Sequence, residues 1–329
     1  MRFKNLNWRF VSQLYFLLLC LTAGAFLFQV VLLIPELGTE AFAYRFPMLE
    51  AFLPISAMVG LKYWLFTGEY DPVHPAGLTI LLLAVLSAFL LKRGFCSHIC
   101  PIGTVSEYTY KLRQRIVPRR LQLPKPFVYV LKVPKYLLFG FLAFVVLIGM
   151  SGMDIVCFIR SPYNMISEIK MMNFFLDPSP LTIKVVLFLA AASLLLSNFW
   201  CRFLCPYGAL LSIFAAFSSV SICRDEKRCV FCYSCEQACL NQLSITDRAE
   251  VDSPDCTLCQ SCTAACPKGA LEARAVYGRY PLHPRTYVGL LLGLFGLGIL
   301  LAVLSGHWQS AELAERWAEY APMAGMIFH

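Results

Sequence analysis

Charged residues are scarce in this chain. Only 15% of its 329 residues are Asp, Glu, Lys or Arg, 58% are hydrophobic, and the mean hydropathy is +0.64. Soluble globular domains carry about 25% charged residues, so this composition excludes an ordinary soluble domain and indicates an integral membrane protein. The sequence also has no C-x2-C-H motif for covalent haem and no segment typical of a covalently bound flavin.

Negatively charged residues are rarer than positively charged ones, with 20 Asp and Glu against 28 Lys and Arg. The excess positive charge is concentrated between Lys92 and Lys135, where ten Lys or Arg stand with a single acid, Glu107. A short basic loop between apolar segments is typical of the cytoplasmic side of a membrane protein. We therefore expect lipid as a partner and no nucleic acid.

Five apolar segments predict membrane spans at 10–34, 76–91, 136–153, 185–201 and 287–304. Segment 48–60 is apolar except for Glu50 and predicts a half-inserted helix that is buried in protein. A signal peptide cleaved near Ala41-Phe42-Ala43 is the alternative for the first span, but the apolar run is longer than in such peptides.

Cysteine, in contrast, is abundant, and eight of the 15 cysteines form two runs with the spacing C-x2-C-x2-C-x3-C. This spacing is typical of bacterial proteins with two iron–sulfur clusters, in which the fourth cysteine of each run ligates the other cluster. The predicted ligand sets are Cys229, Cys232, Cys235 and Cys266 for a first [4Fe–4S] cluster, and Cys256, Cys259, Cys262 and Cys239 for a second.

Zinc knuckles and a disulfide framework are the alternatives for these runs. Zinc sites use paired C-x2-C knuckles without a third cysteine and x3 step, and disulfides need an oxidising compartment. One position departs from the iron–sulfur pattern, because Leu240 rather than proline follows Cys239. This departure removes no ligand.

Four more cysteines form a second motif that occurs twice. Cys96-x3-Cys100-Pro101-x-Gly103 recurs 105 residues later as Cys201-x3-Cys205-Pro206-x-Gly208, which indicates an internal duplication. Each copy follows a predicted span, and related spans in repeats tend to enclose a shared site. Cys96, Cys100, Cys201 and Cys205 could hold a metal or a third cluster, form redox disulfides, bind copper, or be buried structural residues. Cys20, Cys157 and Cys223 remain unassigned.

The two C-x3-C-P motifs, together with the later double run, resemble the membrane polyferredoxin family. Its members include the quinol dehydrogenase subunit of periplasmic nitrate reductase systems and the membrane electron donor of nitrous-oxide reductase. A related member is the copper-handling assembly ferredoxin of haem–copper oxidases. Segments 95–103 and 200–208 look closest to the nitrate-reductase type, whereas the fifth span looks more like the copper-assembly type, which carries a sizeable outer domain where this chain has only 305–329.

The expected fold is a membrane all-α helical bundle of five spans with an internal duplication, into which a small α+β two-cluster ferredoxin domain is inserted. We predict a four-span membrane domain at 1–221, a ferredoxin domain at 222–284, and a fifth span with a short tail at 285–329. Localisation in the bacterial inner membrane is expected. The N-terminus and ferredoxin domain would be cytoplasmic and the C-terminus external.

The resemblance implies an electron-transfer subunit that exchanges electrons between quinone and a partner redox subunit, with quinol oxidation the favoured direction and a periplasmic partner one alternative. Quinone chemistry needs proton-transferring groups. The candidates at the outer side are Glu50, Glu69, Asp71, His74 and Asp154, of which Glu50, Asp71 and His74 are the three predicted site residues. Two alternatives remain. The chain is a copper-handling or copper-reducing assembly factor that uses the C-x3-C-P cysteines, or an anchor for another complex.

The tail predicts a short helix that ends before Pro322. Leu313, Trp317 and Tyr320 share one helical face, and Ser310 is a candidate cap. Because Trp and Tyr favour the membrane interface, this helix is expected either to lie at the outer interface as an anchor or to pair with a partner subunit.

Overall fold

A computed structural model describes residues 8–37, 45–116, 124–276, 278–310 and 313–324. Arg2, Lys4 and the Ala41–Ala43 motif lie outside the described residues. The chain divides into two compact units. The first comprises Met1–Leu17, Ala84–Phe139 and Leu187–Leu294, and the second comprises Leu18–Leu83, Gly140–Val186 and Phe295–His329.

Most of the described chain is helical. The α-helices are α1 Trp8–Leu37, α2 Pro54–Thr67, α3 Pro75–Leu91, α4 Gly94–His98, α5 Pro101–Ile116, α6 Lys125–Phe144, α7 Gly152–Ile159, α8 Pro162–Met165, α9 Ser167–Leu176, α10 Pro180–Leu195, α11 Pro206–Ala215, α12 Ser234–Ala238, α13 Ser261–Ala264, α14 Pro284–Leu304 and α15 Leu313–Tyr320. Turns of 3-10 helix occupy Pro47–Phe52 and Ala321–Met323, and π-helical turns occupy Val145–Gly149 and Trp200–Leu204.

Proline marks the start of many of these helices. Helices α3, α5, α11 and α14 each begin at a proline, whose fixed φ suits the first helical position and whose missing N–H is not needed there. Before α3, Asp71 Oδ1 accepts hydrogen bonds from the backbone N–H groups of Val73 and His74 at 2.9 and 3.0 Å. In both C-x3-C-P motifs, a new helix therefore starts directly after the second cysteine.

Three helical segments are long and apolar enough to cross a membrane, and this makes the chain a membrane protein. They are Trp8–Leu33, Pro126–Gly149 and Pro284–Leu304. Helices α9 and α10 together would make a fourth, but a bend of 79° separates them. Helix α3, predicted as a span at 76–91, has 17 residues, and many of its side chains are buried in the protein. Three or four spans are thus identified among the described residues, and the fifth stays a prediction.

The second unit has an apolar core that surrounds a group of buried charged side chains. Its core residues include Val59, Tyr63, Ile155, Ile166 and Trp317, each at most 3% exposed. Lys62 closes the end of the π-helical turn, because its Nζ donates to the carbonyl oxygens of Val146, Leu147 and Met150 at 2.7 to 3.0 Å. The segment predicted as one half-inserted helix at 48–60 is instead a 3-10 turn followed by α2, because Pro54 begins a new helix.

The first unit contains a four-stranded antiparallel sheet in the segment predicted to be a ferredoxin. The strands are β1 Ser221–Arg224, β2 Glu250–Val251, β3 Leu271–Ala275 and β4 Tyr280–Pro281, in the order β2-β1-β3-β4. In the register, Ile222 pairs with Val251 on one side and Ala273 on the other. All three pack with Leu258 and several cysteines in a second apolar core. Cysteines contribute to this core because they are among the few apolar side chains available in so short a segment.

The predicted tail helix is present as α15, but its tryptophan is buried in the protein and is not exposed as a surface anchor would be. Trp317 is fully buried, and its Nε1 donates to Glu168 Oε1 at 3.0 Å. The anchor prediction was wrong for this residue because a buried carboxylate satisfies the indole N–H inside the unit. Ser310 Oγ donates to the carbonyl oxygen of Pro72 at 2.5 Å, a contact that the sequence did not indicate.

Candidate iron–sulfur centres

Two cavities in the first unit are each lined by four of the eight cysteines in the double run. Cys229, Cys232, Cys235 and Cys266 line one small cavity. Cys239, Cys256, Cys259 and Cys262 line another. The cysteines are therefore grouped as the two predicted ligand sets, with the fourth cysteine of each run in the other run's cavity. None of the fifteen cysteines, all of which lie in the described residues, forms a disulfide.

The backbone of both runs bends in the same unusual way. Phe231 and Tyr233 flank the second cysteine of the first run, with φ of 53° and 57°, and Leu258 and Gln260 flank that of the second run, with φ of 47° and 56°. Positive φ is unfavourable for residues other than glycine and needs compensation elsewhere. Backbone alternation of this kind forms concave nests of N–H groups that bind anions, including iron–sulfur clusters. Both cavities therefore suit a cluster carried by thiolates.

The two C-x3-C-P motifs lie together in the first unit. The Phe95 and Tyr207 rings, one from each motif, are 5.8 Å apart, and Arg93 Nη2 lies 4.0 Å from Cys96 Sγ. A Cβ on Gly208, in the other motif, would stand 2.9 Å from the same Arg93 nitrogen. In the described part of the chain, no group of three or more His, Cys, Asp or Glu side chains is placed to hold a metal ion. Ligation by these four cysteines, and by the eight of the double run, therefore stays a prediction.

The glycines of the two motifs have the same role. A Cβ on Gly103 would clash with the carbonyl oxygen of Cys96, and one on Gly208 would stand 3.2 Å from that of Cys201. Glycine thus lets the helix after each second cysteine pass close to the carbonyl group of the first cysteine. His98, which lies inside the first motif, is packed in the protein: its Nδ1 lies 2.8 Å from Ser97 Oγ.

Two hydrogen bonds join the segment around the first C-x3-C-P motif to the second cluster cavity within this unit. Ser97 Oγ donates to the carbonyl oxygen of Thr257 at 2.8 Å, next to Cys256. Arg93 Nη1 donates to Asp255 Oδ1 at 3.3 Å, on the other side of Cys256. The second cluster cavity is therefore the one that neighbours the repeated motifs.

Asp255 is the centre of a buried group of cations. Besides Arg93, it accepts hydrogen bonds from Lys132 Nζ at 2.6 Å and Lys135 Nζ at 2.7 Å. These cations hold the pKa of the Asp255 carboxyl well below its usual range, although burial opposes the shift. One carboxylate cannot balance three cations, so this region has an excess of positive charge. An anionic cluster held by the neighbouring cysteines fits such a site.

Two of the three predicted proton-transferring residues meet in the second unit. His74 Nδ1 lies 3.5 Å from Glu50 Oε1, and both side chains are fully buried. Arg45 bridges two carboxylates, with its Nη2 2.8 Å from Glu50 Oε1 and its Nε 2.5 Å from Glu168 Oε1. His74 Nε2 lies 2.7 Å from the carbonyl oxygen of Asn164, which can only accept, so this nitrogen carries a proton.

The charges of these four side chains balance when His74 is protonated. Arg45 and an imidazolium at His74 then compensate Glu50 and Glu168. Hydrogen bonding and charge attraction from Glu50 raise the pKa of His74, and Arg45 and His74 lower the pKa of Glu50, although burial opposes both shifts. Asp71 is buried nearby, and burial raises its pKa. Its Oδ2 has no hydrogen-bond partner among the described residues.

Sequence reasoning missed Arg45 and Glu168 in this network. Arg45 and Glu168 are separated by 123 positions in the chain, and no spacing rule connects them. The available signal was chemical, because an arginine and a glutamate beside apolar segments need buried partners. Ser56 and Asn164, in two short segments 53–56 and 161–164 that look alike, are also in contact, with Ser56 Oγ donating to Asn164 Oδ1 at 2.8 Å.

Comparison with known proteins assigns both C-x3-C-P segments to one family model. The model is described as a 4Fe-4S binding domain and matches residues 73–120 and 178–222. The protein named "Putative electron transport protein YccM" of Escherichia coli (strain K12) is 31% identical over 330 residues, which cover 98% of this chain and 92% of that protein. The chain belongs to the membrane polyferredoxin family.

Two further relatives of this polyferredoxin cover less of the chain. "Ferredoxin-type protein NapH" of Escherichia coli (strain K12) is 26% identical over 56% of this chain and 63% of that protein. "Protein NirI" of Paracoccus denitrificans (strain Pd 1222) is 27% identical over 60% of this chain and 28% of that protein. The comparison with solved structures gave no match. The polyferredoxin is an iron–sulfur electron-transfer protein of the membrane.

Proposed function

We propose that this polyferredoxin is a quinol-oxidising subunit that passes electrons to a partner oxidoreductase, with the periplasm as a location for that partner. Quinol oxidation releases two electrons and two protons and leaves quinone. Two [4Fe–4S] clusters, when bound, would each accept and release one electron. The protein must hold the clusters, connect them to one another and to the C-x3-C-P site, and receive the protons.

The grouping of eight cysteines into two cavities is the observation that carries this proposal. Cys239 and Cys266, each the last cysteine of its run, line the cavity of the opposite run. Because of this exchange, each cavity is lined by cysteines from both runs. A zinc or disulfide framework gives no reason for such an exchange, whereas it is the ligand arrangement of two-cluster ferredoxins.

The second cavity and the C-x3-C-P motifs supply a route for electrons inside the first unit. Arg93 contacts both motifs and Asp255, and Asp255 precedes Cys256 in the wall of the second cavity. We propose that Cys96, Cys100, Cys201 and Cys205 hold one redox centre between duplicated halves. The assignment of both segments to a 4Fe-4S binding domain supports this proposal.

Glu50 and His74, together with Arg45 and Glu168, are the proposed proton-relay group, in which His74 passes on the proton that it holds and can then accept one of the two protons of quinol. His74 is protonated when the group is neutral, and loss of that proton leaves one uncompensated negative charge. A buried site with one exchangeable proton suits a reaction that releases protons with electrons. Asp71 is proposed as a further member, because burial raises its pKa.

The orientation of the chain is also a proposal. The basic stretch that follows α3 favours a cytoplasmic location for the first unit's loops, in agreement with the positive-inside rule. The ferredoxin segment and the N-terminus would then be cytoplasmic, and the C-terminus external. Reporters fused after Gly278 and after His329 should read as cytoplasmic and external, respectively, and two reporters on the same side would contradict this topology.

Anaerobic electron exchange of the purified protein with quinol and quinone tests the quinone-linked function. A short-chain quinol should reduce the oxidised wild-type protein, which is the proposed direction, and a short-chain quinone should re-oxidise the dithionite-reduced protein. His74→Asn should slow both reactions at least tenfold. Ferricyanide, which takes up no protons, serves as the control and should re-oxidise both proteins at the same rate. Equal quinone rates for the two proteins would contradict the proposed role of His74, and no reaction with quinone would contradict the function.

Metal analysis of the same preparation separates this function from copper handling. Iron without copper is expected, and serine at Cys96 and Cys201 should leave the copper content at zero. Stoichiometric copper that disappears in the Cys96→Ser and Cys201→Ser variants would favour the copper-assembly alternative.

A further inference from the structure

Arg202 is a buried cation with no hydrogen-bond partner among the described residues. The side chain follows Cys201 in the second C-x3-C-P motif, and the residue is only 2% exposed. All three guanidinium nitrogens, Nε, Nη1 and Nη2, are buried and make no hydrogen bond. Its guanidinium lies over the Phe203 ring at 4.9 Å, a contact that does not neutralise charge. A buried charge without a partner is strongly unfavourable, so a negative charge facing this side chain would stabilise the folded protein.

Protonation chemistry does not remove this charge. Burial lowers the pKa of Arg202 to about 10, so the guanidinium remains cationic at neutral pH. Attraction to Cys239 and to Asp255 counteracts this lowering of the Arg202 pKa. Asp255 already receives hydrogen bonds from Lys132, Lys135 and Arg93, and cannot act as the counter-ion of a fourth cation.

The cysteines of the second cavity offer a place for such an anion. Ser197, five residues before Arg202, donates from its Oγ at 2.6 Å to the carbonyl oxygen of Leu240, the residue after Cys239, so this segment lies next to the end of the first cysteine run. Cys239 lines the second cavity with Cys256, Cys259 and Cys262. The same four cysteines are the proposed ligands of the second cluster, whose thiolates and sulfides carry negative charge.

We propose that Arg202 is the counter-cation of the second cluster and sets its reduction potential. This inference rests on the proposed assignment of two clusters. Reduction adds one electron and therefore one negative charge to the cluster, and a fixed buried cation stabilises the reduced state more than the oxidised state. Arg202 thus raises the potential of the cluster beside the C-x3-C-P motifs relative to the same cluster without the cation. Arg202 acts on the cluster through its positive charge and supplies no ligand to the iron.

An EPR-monitored redox titration of the full-length protein in detergent tests whether Arg202 raises the reduction potential of the second cluster. Cys229→Ser and Cys256→Ser variants identify which reduction step belongs to which cluster. Arg202→Gln should lower the equilibrium constant for reduction of the second cluster ten- to a hundredfold, which corresponds to about 59 to 118 mV for a one-electron couple. The first cluster should shift by less than twofold, and Arg202→Lys should restore most of the loss. Arg248, which is exposed and pairs with Asp252 at 2.8 Å, provides the matched charge control as Arg248→Gln and should shift neither cluster by more than twofold.

Each outcome decides the inference. A selective shift of the second cluster that lysine reverses supports it. If Arg202→Gln cannot retain the second cluster, retention of that cluster by Arg202→Lys also supports it. Shifts below twofold, equal shifts of both clusters, no rescue by lysine, or equal loss of both clusters in both variants would overturn it. A wild-type protein with no clusters would instead contradict the proposed function, and failure to react with quinone would leave this titration unaffected.

Discussion

Cys239 and Cys259 line the same cavity, although Cys239 closes the first cysteine run and Cys259 lies inside the second. Leu240 does not prevent this arrangement even though most such runs have proline at that position. Its carbonyl oxygen accepts a hydrogen bond from Ser197, which helps to hold the chain next to the cavity. The fourth cysteine is thus positioned by packing as well as by the spacing of its own run.

Replacing the fourth cysteine of either run by serine should damage the cluster of the other run. Cys239→Ser should impair the cluster of the second run, and Cys266→Ser that of the first, because each side chain lines the opposite cavity. EPR spectra of the reduced variants, with iron counts, measure the effect. Cys223→Ser, outside both cavities, is the control and should retain both clusters. Loss of the first run's cluster in Cys239→Ser would show that the ligands are not crossed.

The glycines of the two C-x3-C-P motifs should differ in sensitivity. Gly103→Ala places a Cβ against the backbone carbonyl oxygen of Cys96, whereas in Gly208→Ala the nearest atom is the flexible end of Arg93. We expect Gly103→Ala to lower the free energy of unfolding by about 1–3 kcal/mol, as overpacking does, and Gly208→Ala to lower it less. Thermal unfolding in detergent provides the measurement.

Gly140→Ala is the matched control for these two variants. Gly140 lies in α6 and has open space where its Cβ would be, so alanine should be neutral or stabilise the helix by up to about 1 kcal/mol. A Gly103→Ala protein as stable as Gly140→Ala would contradict the close approach at the first motif.

Local patterns in the sequence predicted the chemistry of the site better than they predicted contacts between distant parts of the chain. Cysteine spacing was sufficient to propose both ligand sets, and the proline after the second cysteine of each C-x3-C-P motif is the first residue of α5 or α11. The 79° bend between α9 and α10 was not predicted, because hydropathy measures composition and not direction. Arg45, Glu168 and Trp317 form a network from three distant parts of the chain, and only folding brings them together.

Trp317 should be essential to the second unit. Trp317→Ala removes a fully buried indole and should cost about 3–5 kcal/mol of unfolding free energy, as other large core truncations do. Trp317→Phe keeps most of the volume but loses the hydrogen bond to Glu168, and should cost about 1–2 kcal/mol. Thermal unfolding of the detergent-solubilised protein measures both effects.

A matched substitution at Trp64 controls for the loss of an indole. Trp64 is 37% exposed, so Trp64→Phe should change the unfolding free energy by no more than about 0.5 kcal/mol. If Trp317→Ala is as mild as the Trp64 variant, the tail helix is a surface element and the buried position of Trp317 is wrong.

The buried pair of Glu50 and His74 should give the protein its highest stability in mildly acidic solution. The folded protein raises the pKa of His74 above its ordinary value of 6.5, so the stabilisation from this group is complete below 6.5 and is lost as the pH rises through the folded value. The pKa of Glu50 is lowered from 4.5, so its contribution is complete above 4.5 and is lost as the pH falls through the lower folded value. For Glu50 and His74, stability should therefore be greatest between these ordinary values. Burial raises the pKa of Asp71 from its ordinary value of 3.8, so ionisation of Asp71 costs stability as the pH rises from 3.8 through its folded value.

The contribution of His74 can be isolated by comparing unfolding temperatures from pH 5 to 9 in detergent. Arg45, Glu50, Asp71 and Glu168 are the charged groups around the imidazole, and all of them remain in His74→Asn. The wild-type midpoint should fall as the pH rises above neutrality, whereas that of His74→Asn should start lower and change less. His283 is exposed and lies in the other unit, so His283→Asn should follow the wild-type profile. Parallel profiles for wild type and His74→Asn would mean that the protonation of His74 does not differ between the folded and unfolded protein. The neutral four-residue group would then have only a structural role.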